Sequence, residues 1–437
     1  MAQSTAPPSL SILPPSHPAA SRTAIPWLDR LTRRCVHIFL CGLRQGQLTV
    51  ITGRDRQTFG RETTLAPASA TITVHHPRFY QFLLLSGSRG LGEAYIRRYW
   101  SSPDLTAALC LFLRAYQFWE PLARSLAWLA VWPRRRHCQH RNTPSGSRRN
   151  IAAHYDLGNE FYALFLDESM AYSCAIFPRP DSSLEEAQRS KYDLVCRKLN
   201  LRPGQTLLEI GTGWGGLAIH AARHYGCQVT TTTISRQQYD YACRAIQGAG
   251  LSDRITVLNE DYRALEGQYD RLVSIEMIEA VGHENLPKFF QVCSRCLKPA
   301  GLMLLQGITI NDRAYRRYLR SLDFIRSHIF PGGCLVSLLA LGEAVAQASD
   351  LRLVNLEDLT PFYALTLSHW RQRFQARLDE VRAQGFSQEF IRLWEFYFCY
   401  CEAGFLERYT GDVQLLYAKP QYRLPVWPWL AERRVAP

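Results

Sequence analysis

A chain of 437 residues is too long for one typical domain and fits two or three, and its 47% hydrophobic content suits a globular protein with sizeable cores. A formal charge of +13 favours anionic partners, either a membrane surface or nucleic acid. No apolar run approaches the roughly 18 residues of a membrane-crossing helix, so no transmembrane helix is expected, and the odd count of 13 cysteines without a secretory signal suits a reducing cytosol.

Residues 1–26 carry Pro7, Pro8, Pro14, Pro15, Pro18 and Pro26 among small residues and read as a disordered leader. A small α+β domain follows over 27–133. Its strand-like pieces are Gln47–Thr52, Thr58–Phe59 and Ala70–His75, and its helical stretches are Pro77–Leu85 and Asp104–Phe118. The segment Trp119–Trp132 is rich in Trp and Leu. A basic linker over 134–149 then carries Arg134, Arg135, Arg136, Arg141, Arg148 and Arg149. Aromatic rings beside arginines suit a bilayer interface, and they equally suit a packed helix beside a solvated linker.

Over 150–420 the pattern alternates strand and helix, which specifies an α/β fold with a doubly wound, mixed seven-stranded sheet, before a tail at 421–437. The strands are Thr206–Ile210, Gln228–Thr233, Ile255–Asn259, Arg271–Ser274, Leu302–Ile310, Arg352–Leu356 and Val413–Tyr417. A ligand belongs at their carboxyl ends. Cys293 and Cys296 form a C-x-x-C inside the helical stretch Leu286–Leu297. With no second pair nearby they read as one helix face rather than a metal or redox site, and no metal site is expected. Asp312–His328 reads as one amphipathic helix, with Tyr315, Tyr318, Leu319, Leu322 and Ile325 on one face and Arg313, Arg316, Arg317 and Arg320 on another.

The most informative stretch is Leu207-Leu-Glu-Ile-Gly-Thr-Gly-Trp-Gly-Gly216. It reads as a buried strand, a tight turn and a helix start. Its glycines allow a ligand to press on the backbone beside free N–H donors. Gly211, Gly213 and Gly216 satisfy the dinucleotide fingerprint, but that site needs a carboxylate at the end of the second strand. Here that strand ends Val229-Thr-Thr-Thr-Thr233-Ile-Ser235, with none. Glu209 instead precedes the glycines, where it can hold a positively charged amino-acid group.

That turn resembles the first motif of class I S-adenosylmethionine-dependent methyltransferases. Further segments add to it in order. These are Asn150-Ile-Ala-Ala-His-Tyr-Asp-Leu-Gly-Asn159-Glu-Phe-Tyr162, Met170-Ala-Tyr-Ser-Cys174, Ser274-Ile-Glu-Met-Ile-Glu279-Ala-Val-Gly, Phe330-Pro-Gly-Gly-Cys334 and Tyr400-Cys401-Glu-Ala-Gly-Phe405. Together they resemble the cyclopropane-fatty-acyl-phospholipid synthase family over roughly residues 150–419, and more weakly through Gly90-Leu-Gly-Glu-Ala-Tyr95. The resemblance implies transfer of a methyl group from S-adenosylmethionine to a cis double bond of a phospholipid acyl chain, then deprotonation and ring closure. It implies cofactor contacts from Tyr172, Ser173, Glu209, Gly211, Gly213, Gly215, Thr233, Ile234, Gln238, Tyr262 and Arg263. It also implies a bicarbonate base held by Cys174, Glu279, the Ile308 backbone and Tyr363, and an active cysteine at Cys401, although a structural role is at least as good a reading of that residue.

Gln306 departs from the histidine that some family members carry there. Glutamine donates and accepts but does not titrate, so the implied catalytic set is Glu279, Tyr363, Cys174, Cys401 and Gln306. Aromatic faces can stabilise a carbocation on the acyl chain, for which Tyr363, Phe362, Phe330, Trp394, Phe396 and Tyr397 are candidates. The expected partner is a phospholipid membrane with unsaturated acyl chains, met peripherally on its inner, cytoplasmic face, and a homodimer is compatible with the chain. No RNA- or DNA-binding motif accompanies the charge, so nucleic acid is not an expected partner. Three alternatives stay open: an acyl methyltransferase giving a methyl-branched or methylene chain, a methyltransferase of a small soluble acceptor, and a silent lipid-binding protein on this scaffold.

Overall fold

The computed structural model describes residues 26–125 and 157–423. The leader, the second half of Trp119–Trp132, the arginines at 134–136, 141, 148 and 149, the Asn150–Asp156 part of the first motif, and the end of the tail lie outside the described residues. Contacts divide the chain into two units, one of residues up to 132 with 322–329 and 375–403, the other of 133–321, 330–374 and 404–437.

The first unit opens with a helix, α1 (Pro26–Leu40), that the sequence reading did not anticipate. Strands β1 (Gly46–Thr52), β2 (Asp55–Arg61), β3 (Ser69–Val74) and β4 (Trp100–Ser101) form a sheet in the order β2-β1-β3-β4. Trp100 is fully buried against Phe79, Tyr95 and Phe112, and its indole donates to the Leu91 carbonyl at 3.0 Å. The later segments join this unit through side chains distant in sequence. Tyr95 donates to Glu395 at 2.7 Å, Arg392 donates to the Tyr95 carbonyl at 2.8 Å, and Phe324 packs edge-on to Phe396 at 4.6 Å.

The second unit holds the sheet that carries the site. Its strands are β5 (Thr206–Ile210), β6 (Gln228–Thr232), β7 (Ile255–Leu258), β8 (Tyr269–Ile275), β9 (Leu297–Ile310), β10 (Arg352–Asp358) and β11 (Thr410–Ala418). Their order is β10-β11-β9-β8-β5-β6-β7, as the mixed seven-stranded reading requires. Strands β7 through β9 run parallel, and β11 runs antiparallel to both β9 and β10. The chain leaves β5 toward β6 and β7, then returns to lay β8 and β9 on its other side. This reversal opens a crevice at the carboxyl end of β5, where ligands of such sheets bind. The inner strands are apolar runs because helices cover both faces: Leu208, Leu272, Val273 and Leu302 are fully buried.

One predicted element divides. Asp312–His328 is two helices, Asp312–Arg320 and Phe324–His328. Asp323 breaks it by accepting from the Arg326 N–H and capping the second piece. Leu322, expected on the apolar face, is exposed, while Arg326 and His328 are buried.

Candidate active site

At the carboxyl end of β5 the chain turns through Gly211, Gly213 and Gly215, with φ of +105°, +52° and +94°. The turn is pinned to the neighbouring strand, because the amides of Gly211 and Thr212 both donate to the Thr232 carbonyl at 3.0 Å. A helix, Gly216–Tyr225, starts directly behind it. A Cβ at Gly213 would meet nothing within 4 Å. The turn is therefore an open cradle whose backbone a ligand can approach, facing the positive end of a helix.

Glu209 stands buried under this cradle. It accepts from the Thr231 hydroxyl at 2.6 Å, and that hydroxyl lies 2.8 Å from Thr212 Oγ1. Burial raises its pKa to about 8, against the weaker pull of the Thr231 hydrogen bond and of Lys191. A cationic ligand group would restore its charge. The Thr233–Gln238 loop follows the pinned strand: the Thr233 hydroxyl donates to Gln238 at 2.9 Å, Ile234 lies between them, and Ser235 caps the next helix. From the other side, Trp214 donates to Asn159 at 2.7 Å, and the Tyr162 ring bridges Trp214 and Tyr172 at 5.3 and 5.4 Å. Ser173 accepts from the buried Lys191 ammonium at 2.6 Å. These elements fit a bound S-adenosylmethionine. The side chains of two further residues implied as contacts have protein partners. The Tyr262 ring packs in the core 5.5 Å from Phe289, and Arg263 is clasped at 2.7 Å by both oxygens of Asp261.

Beside the cradle, where β8 and β9 end and the antiparallel β11 begins, lies a cluster of carboxylates. Glu276 follows β8 with φ +48°, a conformation that favours glycine. Its Oε2 accepts from the Tyr363 hydroxyl at 2.5 Å. Its Oε1 accepts from the Cys174 backbone at 2.7 Å and the Gln306 amide at 2.9 Å. Glu279 accepts from the Ile308 N–H at 2.5 Å, and its other oxygen is buried with no partner among the described residues. Asp412 accepts from the Gln306 amide at 3.1 Å. Desolvation and mutual repulsion push Asp412 well above the carboxylate range and Glu279 to about 8. Desolvation also raises Glu276, but Tyr363, Cys174, Lys191 and Gln306 all favour its charged form.

A buried relay fixes the Gln306 amide. Lys198 can only donate, and it donates to Gln414 Oε1 at 2.6 Å. The Gln414 amide must then donate to Gln306 Oε1, at 3.0 Å, which turns the Gln306 NH₂ toward the two carboxylates. Gln306 is fully buried and is a permanent donor where a histidine could titrate.

This geometry corrects the expected partnership of Glu279 with Tyr363, because Tyr363 is bonded to Glu276 instead. It also takes up the donors implied for bicarbonate. The Tyr363 hydroxyl, the Gln306 amide, and the Cys174 and Ile308 backbones all donate to protein carboxylates. Bicarbonate does not fit such a shell, because it would face three acidic groups with those donors engaged. Burial and the charges of Asp412 and Glu276 hold the Cys174 thiol protonated, as expected of a lining residue. Cys401 falls in the first unit, which holds none of the other implied catalytic residues, and burial keeps its thiol protonated too. Of the six aromatic candidates, Trp394, Phe396 and Tyr397 fall in the first unit, and Phe362 stacks on Phe177. Tyr363 and Phe330 stand at the site with Tyr172, Trp370 and Phe405: Tyr172 lies 5.3 Å from Trp370 and 6.2 Å from Phe330, and Tyr363 stacks on Phe405 at 4.3 Å.

Sequence reasoning missed Glu276, Asp412, Lys191, Lys198 and Gln414. For two of them a signal existed. Asp412 and Gln414 alternate in an otherwise apolar inner strand, which puts both on one face.

A glycine cradle at the switch point, with an acid beneath it, defines a class I S-adenosylmethionine-dependent methyltransferase. Comparison with known proteins agrees and narrows this. Residues 142–415 match the model of the mycolic acid cyclopropane synthetase family, and the chain belongs to that family. It is 38% identical over 357 residues to tuberculostearic acid methyltransferase UfaA1 of Mycobacterium tuberculosis, covering 80% of this chain and 83% of that protein. It is 37% identical over 360 residues to cyclopropane-fatty-acyl-phospholipid synthase of Escherichia coli, covering 80% and 87%. The solved structure of mycolic acid cyclopropane synthase CmaA1 complexed with SAH and CTAB is 33% identical, with a TM-score of 0.58, and the match covers 62% of this chain and 98% of that one.

Proposed function

We propose that this enzyme transfers the methyl group of S-adenosylmethionine to a cis double bond of a phospholipid acyl chain and that proton loss closes a cyclopropane. The observation that carries this reading is the carboxylate cluster within an aromatic setting, directly beside the cofactor cradle. An alkene is a weak nucleophile, so the acyl chain must be held close and in line with the methyl group. Attack leaves a cation, which the faces of Tyr172, Phe330 and Tyr363 can stabilise. A methyltransferase of an acidic heteroatom would need no such aromatic setting. Glu209, Gly211, Gly213, Gly215, Thr233 and Gln238 would hold the cofactor, which supplies an electrophilic methyl group when bound.

A second reading has specific support. A 1,2-hydride shift that moves the cation onto the methyl-bearing carbon, followed by loss of a proton from the new methyl group, gives instead a methylene branch that a reductase would saturate. Gln306 and the similarity to a tuberculostearic acid methyltransferase favour it. Mass spectrometry of lipids from cells expressing the protein separates the readings. Each adds CH₂ to unsaturated chains, but only the cyclopropane resists hydrogenation of alkenes. No added CH₂ at all would reject both.

The acceptor places the enzyme peripherally on the inner, cytoplasmic face of a membrane. Helix α1 offers a suitable surface, with exposed Trp27, Leu31 and Ile38 interleaved with exposed Arg30 and Arg34. No helix among the described residues is long and apolar enough to cross a bilayer.

A further inference from the structure

We propose that the side chain of Glu276 is the general base of this enzyme, and that it makes the enzyme independent of bicarbonate. The inference rests on the acyl-methylation reading above and names the group that takes the proton in it.

The first argument is one of occupancy. A carboxylate and a bicarbonate ion have the same planar, anionic, two-oxygen face. Tyr363, the Cys174 backbone and the Gln306 amide converge on Glu276 as they would on a bound anion. Glu276 therefore fills, as part of the chain, the place of a diffusible base.

The second argument identifies the reactive oxygen. Oε1 accepts two hydrogen bonds and is saturated, while among the described residues Oε2 accepts only the one from Tyr363. Oε2 keeps a lone pair for a proton. The two neighbouring acids are poorer choices. Asp412 is more strongly disfavoured as an anion by burial and by its neighbours Glu276 and Glu279, and among the described residues Glu279 has only the Ile308 amide and its own backbone amide to stabilise its charge.

The third argument is the backbone. A non-glycine residue at φ +48° is held in a conformation where glycine would be easier. The position is also close to the glycine cradle: a Cβ at Gly211 would lie 3.2 Å from the Cβ of Met277, the next residue.

The step balances. The alkene π pair forms the bond to the methyl carbon as the carbon–sulfur pair returns to sulfur. Glu276 Oε2 then takes one proton from that methyl group, and the freed C–H pair closes the ring on the cationic carbon. A 1,2-hydride shift onto the cationic carbon before the same base takes the methyl proton would instead form the methylene product, the freed C–H pair becoming its double bond. The proton leaves Glu276 to water after product release.

The test compares wild type, Glu276→Gln and Glu276→Gly in buffer freed of carbon dioxide, with and without added bicarbonate. S-adenosylhomocysteine calorimetry confirms that each is folded, and the glycine variant relieves the backbone. Wild-type turnover should not change on depletion or addition. Glu276→Gln, which fills the same space without a charge, should lose about 100-fold or more and gain nothing from bicarbonate. Glu276→Gly should lose a similar factor and recover about tenfold or more with bicarbonate, because the vacated space and its three donors admit the ion. A wild type that slows on depletion and recovers with bicarbonate overturns the proposal, as does a Glu276→Gln variant of undiminished rate. A second measurement is independent of product. ¹³C-bicarbonate should bind to Glu276→Gly and not to wild type by NMR line broadening, and binding to wild type overturns the proposal even if no lipid is methylated. Absence of any methylated lipid from wild type, with this binding pattern intact, would instead count against the acyl-methylation reading alone.

Discussion

The glycine cradle and the carboxylate cluster share one edge of the sheet and are built in opposite ways. The cradle is a run of ten residues whose backbone does the binding, and its one charged side chain, Glu209, is held neutral until a cation arrives. The cluster draws Cys174, Glu276, Glu279, Gln306, Tyr363 and Asp412 from five separate segments, and its side chains act on one another. A site made of contiguous backbone fails all at once when its shape changes. A site made of opposed charges in a buried network yields by degrees, because each donor shifts how charge is shared among three acids.

The largest effect should come from the cradle. Gly213→Val puts a branched side chain at φ +52° and fills the open approach. Affinity for S-adenosylhomocysteine should fall by about two orders of magnitude or more, from a loss of roughly 3 kcal/mol, while the fold persists. Unchanged affinity by calorimetry would mean that the ligand does not use this turn.

Tyr363→Phe should break the comparison from the other side. It removes one charge-assisted hydrogen bond, so the turnover rate should fall by about 10- to 100-fold. Affinity for S-adenosylhomocysteine should stay within a few-fold. A variant that loses binding and turnover together would show that the cluster and the cradle are one site, not two neighbours.

Glu209 should give the cradle a pH dependence that the cluster lacks. Its folded pKa of about 8 leaves it protonated at neutral pH in the free enzyme. The charged form is the one that suits a ligand ammonium group. Affinity should therefore rise with pH by up to about tenfold per unit, levelling off above pH about 8. Glu209→Gln should flatten this profile, and a wild type with no slope between pH 6 and 8, roughly, would show that Glu209 keeps its charge without the ligand.

The smallest shift should be thermal. Glu279 is raised from 4.5 to about 8 in the folded protein, so its stabilising contribution is complete below pH 4.5 and is lost as pH rises through about 8. Glu279→Gln cannot titrate. Relative to wild type its Tm should gain a few degrees at about pH 9 and nothing at about pH 4.5, as a difference of a few kcal/mol allows. An equal change at both ends would mean that shape, not charge, governs this residue.

The sequence by itself determined the sheet and the cradle. Strand Thr206–Ile210 was read to its exact limits, and the remaining strands to within a few residues, because buried parallel strands are unbroken apolar runs between glycine and proline turns. Glu209 and the glycines were legible because a turn is local: the neighbours in sequence are the neighbours in space. Glu279 and Tyr363 were recognised one by one, but their pairing was not, because which acid a tyrosine reaches depends on the end of an incoming helix (Thr360–Ala376) relative to strand β8. The two acids lie only three residues apart, and the positive φ of Glu276 aims its side chain where sequence spacing gives no hint. Asp412 reaches the cluster through the antiparallel register of β11 on β9, which sets Gln306 opposite Gln414. Only the tertiary structure could decide these things, since a buried charge in this cluster takes its partner, its protonation and so its chemistry from residues 30 to 106 positions away.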